Sequence, residues 1–211
     1  MNNLTANSQV TIAGEVVSKF QFNHEVYGEG FYITTLRVRR ESGMDDLIPV
    51  MISERLMDVT QDYSGQYMAI LGQLRTYNYS EGIKRRLQLH VFAIAAEVTE
   101  ELFEMPNSIY LNGFICKEPV YHITPSGREI ADVLLAVNRP YGKSDYIPCI
   151  CWGRNARYTG KLQVGDELKL QGRIQSRDYK KILEDGTAEI RTVYEVSISK
   201  IEEVYRENTT E

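Results

Sequence analysis

The chain has 211 residues, 43% of them hydrophobic, with 24 Lys and Arg against 29 Asp and Glu for a formal charge of −5. It can bury one moderate core or two small ones of about a hundred residues each, it has no run of about 18 apolar residues for a membrane-spanning helix, and its net charge argues against a partner held mainly by nonspecific attraction to phosphate. Three cysteines, Cys116, Cys149 and Cys151, form no CxxC pair, so neither a disulfide framework nor a zinc ribbon is expected and they read as small buried hydrophobes.

The opening MNNLTANSQV lacks the basic-then-apolar build of a secretory signal, and a soluble cytoplasmic protein is expected. Residues 1–105 hold 9 Lys and Arg against 14 Asp and Glu. Their clearest phrase is GQLRTYNYS from Gly72, which places Arg75, Tyr77 and Tyr79 on one face of a strand, and Lys84, Arg85 and Arg86 follow in a predicted loop. The segment 97–108 reads as a short helix or linker broken at Pro106. Beyond it, Val133, Leu135 and Val137 alternate, Cys149 and Cys151 oppose Ile150 and Trp152, and Leu168, Leu170 and Ile174 define the inner side of a later strand. Gly127, Gly142 and Gly186 mark turns, and RNARYTGKLQVGD after Trp152 is the one plausible helix, ending near Gly160 or Gly165.

Self-comparison shows that the two halves are copies. At an offset of 99, Gly14 falls on Gly113, Gly28 on Gly127, Val38 on Val137, Arg40 on Arg139, and Ile48-Pro49 on Ile147-Pro148; at an offset of 100, Gly72 falls on Gly172 and Tyr79 on Tyr179. Three strands, a helix and two more strands per copy suit the five-stranded OB barrel. The expected fold is all-β with a short helix per repeat: two tandem OB barrels, residues 1–105 and 106–204, and a short acidic tail, 205–211. Residues 106–201 carry 14 basic and 11 acidic side chains, so the halves differ electrostatically.

Parity then exposes a face. With Leu168, Leu170 and Ile174 inward, Lys169, Gln171, Arg173, Gln175, Arg177 and Tyr179 lie on the other side, while Tyr146, Ile150 and Trp152 share one face of the neighbouring strand and Tyr141 precedes it. Planar rings with cations and amides are what sequence-tolerant binding of a single nucleic-acid strand requires. Exposed strands of any antiparallel sheet also carry Tyr, Thr, Arg and Lys, so on pattern alone a purely structural surface stays open.

The phrases LNGFICKEP, TPSGREIADVLLAVNR, DYIPCICWGRNA and GRIQSRDY make the second copy resemble the bacterial single-stranded DNA-binding protein family along nearly its whole length. The resemblance implies a non-enzymatic OB protein that binds single-stranded DNA in replication, recombination or repair, without cofactor, metal or small-molecule substrate. It also implies four barrels acting together, here as a homodimer. Its stacking positions fall on Tyr141, Tyr146, Trp152 and Tyr179; Arg173 and Arg177 match the basic motif, with Gln175 between them. Arg128, Arg139, Lys143 and Arg154 are candidate phosphate contacts by position and charge. The first copy has Ser42, Leu47 and Ser53 where the second has Tyr141, Tyr146 and Trp152, keeping only Tyr79 with Arg75, Tyr77 and Arg85, and reads as a weakened site or scaffold. The family's flexible tail with an acidic, apolar-ended tip has no counterpart in EEVYRENTTE. An alternative reading is a protein-interaction or primosome accessory module with DNA binding secondary.

Other signals carry no chemistry. YGKS lacks the earlier glycine of a phosphate loop, Val137 standing there, and His24, His90 and His122 have no nucleophile or metal-spaced partner.

Overall fold

The computed structural model describes residues 7–81, 84–100, 103–182 and 186–202, with the side chains of 78–81, 84–86 and 141 outside the described set. Among these residues the elements are β1 (Ser8–Val16), β2 (Gln21–Val26), β3 (Glu29–Arg39), β4 (Asp45–Ser53), β5 (Tyr67–Glu81), β6 (Lys84–Val98), β7 (Asn107–Ile123), β8 (Glu129–Asn138), a 3-10 turn (Pro140–Gly142), β9 (Ser144–Trp152), α1 (Gly153–Thr159), β10 (Glu167–Ile182) and β11 (Ala188–Glu202). The period-two pattern becomes a wall with an inside. Val133, Leu135, Val137, Cys149, Cys151, Leu168, Leu170 and Ile174 are all buried, and each fully buried branched side chain contributes about 1.5–3 kcal/mol.

Two rings close. β1 pairs with β3, β3 with β4, β4 with β6 in parallel, β6 with β5, and β5 returns to β1. The second ring repeats this as β7, β8, β9, β11 and β10, again with one parallel pair. These are two tandem five-stranded OB barrels. β2 hairpins onto β3 outside the first ring, and the far end of β7 does the same against β8: Phe22 opposes Tyr32 as Tyr121 opposes Ala131.

The repeated glycines mark where strands cross most closely. A Cβ on Gly14 would collide with the backbone carbonyl of Arg37, and one on Gly113 with that of Ala136; Gly72 and Gly172 face the carbonyls of Phe92 and Ser197 in the same way. Register shifts sit at both of the later pairs, between Leu71 and Gly72 and between Gln171 and Gly172. The bulge sharpens the bend that closes each ring.

The barrels are joined edge to edge. Ser8–Ile12 of β1 pairs antiparallel with 107–111 of β7, Val10 opposite Ile109, and the buried residues of both barrels form one contiguous cluster. Two polar locks flank this seam. Asp46, fully buried beside Arg40, accepts from the backbone N–H of Ser176 at 2.6 Å while Arg40 donates to the Ser176 carbonyl at 2.8 Å. In the reverse direction Asp145, held by Arg139, accepts from the Thr76 N–H at 2.6 Å and Arg139 donates to the Thr76 carbonyl at 3.0 Å.

Two expectations change. A helix follows Trp152, with Ala156 and Thr159 buried and Gly160 at its end, but the equivalent stretch of the first copy is turns at 54–56. Further along that stretch Asp58 accepts from the N–H of Thr60 at 3.0 Å and Asp62 from that of Ser64 at 3.0 Å; such local bonds compete with a helix. The segment between copies is not helical in its described part: β6 runs on to Val98, and β7 begins at Asn107 after bends. Lys84–Arg86, expected in a loop, have the backbone of β6.

Candidate nucleic-acid interface

The outer face of the second barrel is displayed by β8, β9, β11 and β10. Trp152, Tyr146 and Tyr179 are 41%, 47% and 36% exposed, against 0–4% for the residues of the contiguous core cluster, so the rings stand outside the barrel. Tyr146 and Trp152 sit near opposite ends of β9, six residues and roughly 20 Å apart at about 3.3 Å per residue. On β10, exposed Arg173, Arg177 and Tyr179 oppose Ser197, Val193 and Arg191 of β11, and Ser197 pairs in turn with Ile150 of β9.

Two grooves divide these groups. One of about 600 Å³ gathers Trp152, Gln171, Arg173 and Ser197 with Arg39 and Ser42 of the first barrel. The other, about 880 Å³, gathers Arg177, Tyr179, Arg191 and Tyr194 with Leu87 and Gln88 of β6. Tyr146 lines neither. Both therefore lie between the barrels, and each pairs an exposed ring with an arginine.

The electrostatics are moderated. Glu195, buried on this face, accepts from Gln175 at 2.8 Å and lies 3.7 Å from Arg177, so part of the arginine's charge is already matched. Arg191 is bound by Glu189 at 2.6 Å and also meets the Tyr179 hydroxyl, which together raise its pKa.

Several candidates are used otherwise. Arg139 is committed to Asp145 and Thr76 in the seam lock instead of facing a phosphate, and Gln175 is buried against Glu195. In the first barrel the Arg75 guanidinium lies over the Phe92 ring, 3.6 Å from its centroid, and Tyr77 donates to Gln88 at 2.8 Å with its ring centred 5.5 Å from that of His90 at 63°. Burial first, then the charge of Arg139, lowers the Arg75 pKa to about 10, which leaves it cationic at neutral pH. Arg128, Lys143 and Arg154 are exposed around the rim, in the turn before β8, before β9 and on α1. The side chains of Tyr141, Tyr79 and Arg85 lie outside the described residues.

Sequence reasoning missed Arg191 and Tyr194 on β11, which line the Tyr179 groove. Their phrase EIRTVYE alternates as a strand opposite GRIQSRDY and could have been read as its hairpin partner. No constellation for catalysis emerges from the thiols: burial raises the pKa of Cys149 and brings that of Cys151 to about 11. Among the described residues no His, Cys, Asp and Glu group could hold a metal ion, and no helix is long and apolar enough to cross a membrane.

Residues 106–204 match the model of the Single-strand binding protein family. A single-stranded DNA-binding protein of Halalkalibacterium halodurans is 34% identical over 82 residues, 36% of this chain and 49% of that protein. Single-stranded DNA-binding protein 1 of Staphylococcus aureus is 37% identical over 82 residues, again 36% and 49%, and the chain thus spans about half the length of these relatives. The wild-type single-stranded DNA binding protein of Thermus aquaticus superposes with a TM-score of 0.74 at 19% identity, covering 94% of this chain and 93% of that one. That likeness extends the shared fold over both barrels. The chain is similar to the bacterial single-stranded DNA-binding proteins, and the match to the family model lies in its second barrel.

Proposed function

We propose that the protein binds single-stranded DNA without sequence preference, in replication, recombination or repair, and that it does so as a binding protein and not as an enzyme. Unpaired bases stack on Trp152, Tyr146 and Tyr179, with Tyr141 as a further ring, while Arg173 and Arg177 follow the sugar-phosphate chain and Arg128, Lys143 and Arg154 contact phosphates at the rim. One observation carries this reading: three large rings stand a third or more exposed on the outer face of the barrel that matches the family, two of them in grooves with an arginine. Every base has a π-face, so stacking is sequence-tolerant at roughly 1–3 kcal/mol per base. A duplex keeps its bases stacked on one another and offers these rings nothing comparable.

The working units in this reading are residues 1–105 and 106–204, with 205–211 as a tail beyond them. Two chains supply the four barrels expected to act together. Fluorescence anisotropy tests the specificity: labelled oligo-dT binds, and the same sequence annealed to its complement binds far more weakly. Equal affinity for duplex would overturn the proposal. Sedimentation of the free protein tests the dimer.

A further inference from the structure

We propose that the first barrel holds a second base-stacking patch, built from His24, Phe31 and Phe92 with Arg75 as its cation, for bases of the same DNA strand. The proposal rests on the single-strand reading above. Judged by the repeat, the first barrel has lost three of its four rings, since Ser42, Leu47 and Ser53 stand for Tyr141, Tyr146 and Trp152 and only Tyr79 is kept. The structure supplies rings from neighbouring strands instead.

Phe31 on β3 is the cross-strand partner of Ser53, and its ring lies 5.8 Å from that of Phe92 on β6. His24 on β2 stacks on Phe31 with centroids 5.0 Å apart and planes at 11°. Arg75 on β5 covers Phe92. Four planar groups from four strands thus run across the outer face. In the second barrel the equivalent of Phe31 is Ile130, opposite Trp152, and the equivalent of Phe92 is Ser197, opposite Arg173. The ring has moved from the middle strand to its two neighbours.

These rings are not core filling. Aliphatic side chains such as Leu36, Ile52 and Ile70 occupy the interior with at most 1% exposure, whereas Phe31 and Phe92 are half-buried and His24 is exposed. Arg75 points to a ligand independently: its Nε is buried and meets no acceptor among the described residues. A desolvated guanidinium N–H without a partner is costly, and a base carbonyl or phosphate oxygen would satisfy it. The patch is also continuous with the second barrel. Gln88, which lines the Tyr179 groove, shares one face of β6 with His90 and Phe92, so a strand leaving that groove reaches the patch after roughly 13 Å, four residues of β6.

The test uses the whole protein with a graded series of oligo-dT, reading Trp152 fluorescence for the second barrel and anisotropy for total affinity. Phe31→Leu keeps the apolar volume and removes the π-face; His24→Ala changes an exposed side chain. Expected are wild-type Trp152 quenching by the shortest saturating oligomer and a roughly tenfold loss of affinity for oligomers long enough to span both barrels. Photo-crosslinking of 5-iododeoxyuridine oligomers to peptides holding His24, Phe31 or Phe92 should be reduced in parallel. Long-oligomer affinity within twofold of wild type in both variants, with quenching intact, would overturn the patch. If no oligomer quenches Trp152 in the wild type, the parent reading fails instead; crosslinks at Phe31 or Phe92 would then still support the patch, and their absence would remove both.

Discussion

Asp145 of the second barrel accepts a hydrogen bond from the backbone N–H of Thr76 in the first at 2.6 Å, and Asp46 of the first accepts one from Ser176 in the second at the same distance. The two carboxylates stand 99 residues apart in the sequence, each held by its own arginine six residues earlier, Arg139 and Arg40. They bolt the barrels together with approximate twofold symmetry and so fix the grooves between them.

Removing one carboxylate leaves a partly buried guanidinium and a backbone N–H unmatched, and breaking a buried pair costs about 3–5 kcal/mol. Asp145→Ala and Asp46→Ala should each lower stability in urea by about 3 kcal/mol, while Asp132→Ala, at an exposed position, should change it by under about 0.5 kcal/mol. Arg139→Ala should destabilise without altering the salt dependence of DNA binding, which separates a lock from a phosphate contact.

Closure of the rings depends on glycine at the crossings. Gly72→Ala and Gly172→Ala place a methyl group against a backbone carbonyl that cannot rotate away. Each should cost about 1–3 kcal/mol in chemical denaturation, the range for overpacking a tight site.

Stability should also follow pH through His90. Burial, then the positive charges of Arg75 and Arg139, bring its pKa down to about 4, with Asp145 opposing them; in the unfolded chain the value is about 6.5. Between these values the unfolded chain binds a proton that the native chain does not. The contribution of His90 is therefore complete above about pH 6.5 and is lost as pH falls toward 4, by about 3 kcal/mol in all. Urea titrations at pH 7 and pH 4.5 should show most of that loss in the wild type and a smaller one in His90→Gln.

DNA affinity should fall with salt along a shallow slope, because few cations face the strand and Arg177 is partly matched by Glu195. Each phosphate contact removed lowers the slope of log K against log salt by about 0.7 for a single strand. Arg173→Ala should show that decrement.

Much of the fold was legible because glycines and apolar parity are local signals repeated in both copies. That Tyr146, Trp152 and Tyr179 stand exposed on the second barrel was legible by the same parity. Arg139 misled because its partner lies across a hairpin; the pairing of Arg40 with Asp46 and of Arg139 with Asp145, recurring at one spacing, was the available clue. The first barrel's rings were hidden for a different reason. His24, Phe31 and Phe92 come together only through the β2, β3 and β6 arrangement, and comparison at matched positions looks for rings only where the other copy has them.

Trp152 is the chain's single tryptophan and stands on the proposed site, so its fluorescence reports the central claim directly. Titration with poly-dT at low salt should quench it to a saturating plateau, and Trp152→Ala should weaken binding roughly tenfold. Unchanged emission at saturating poly-dT, or wild-type affinity in Trp152→Ala, would contradict the account.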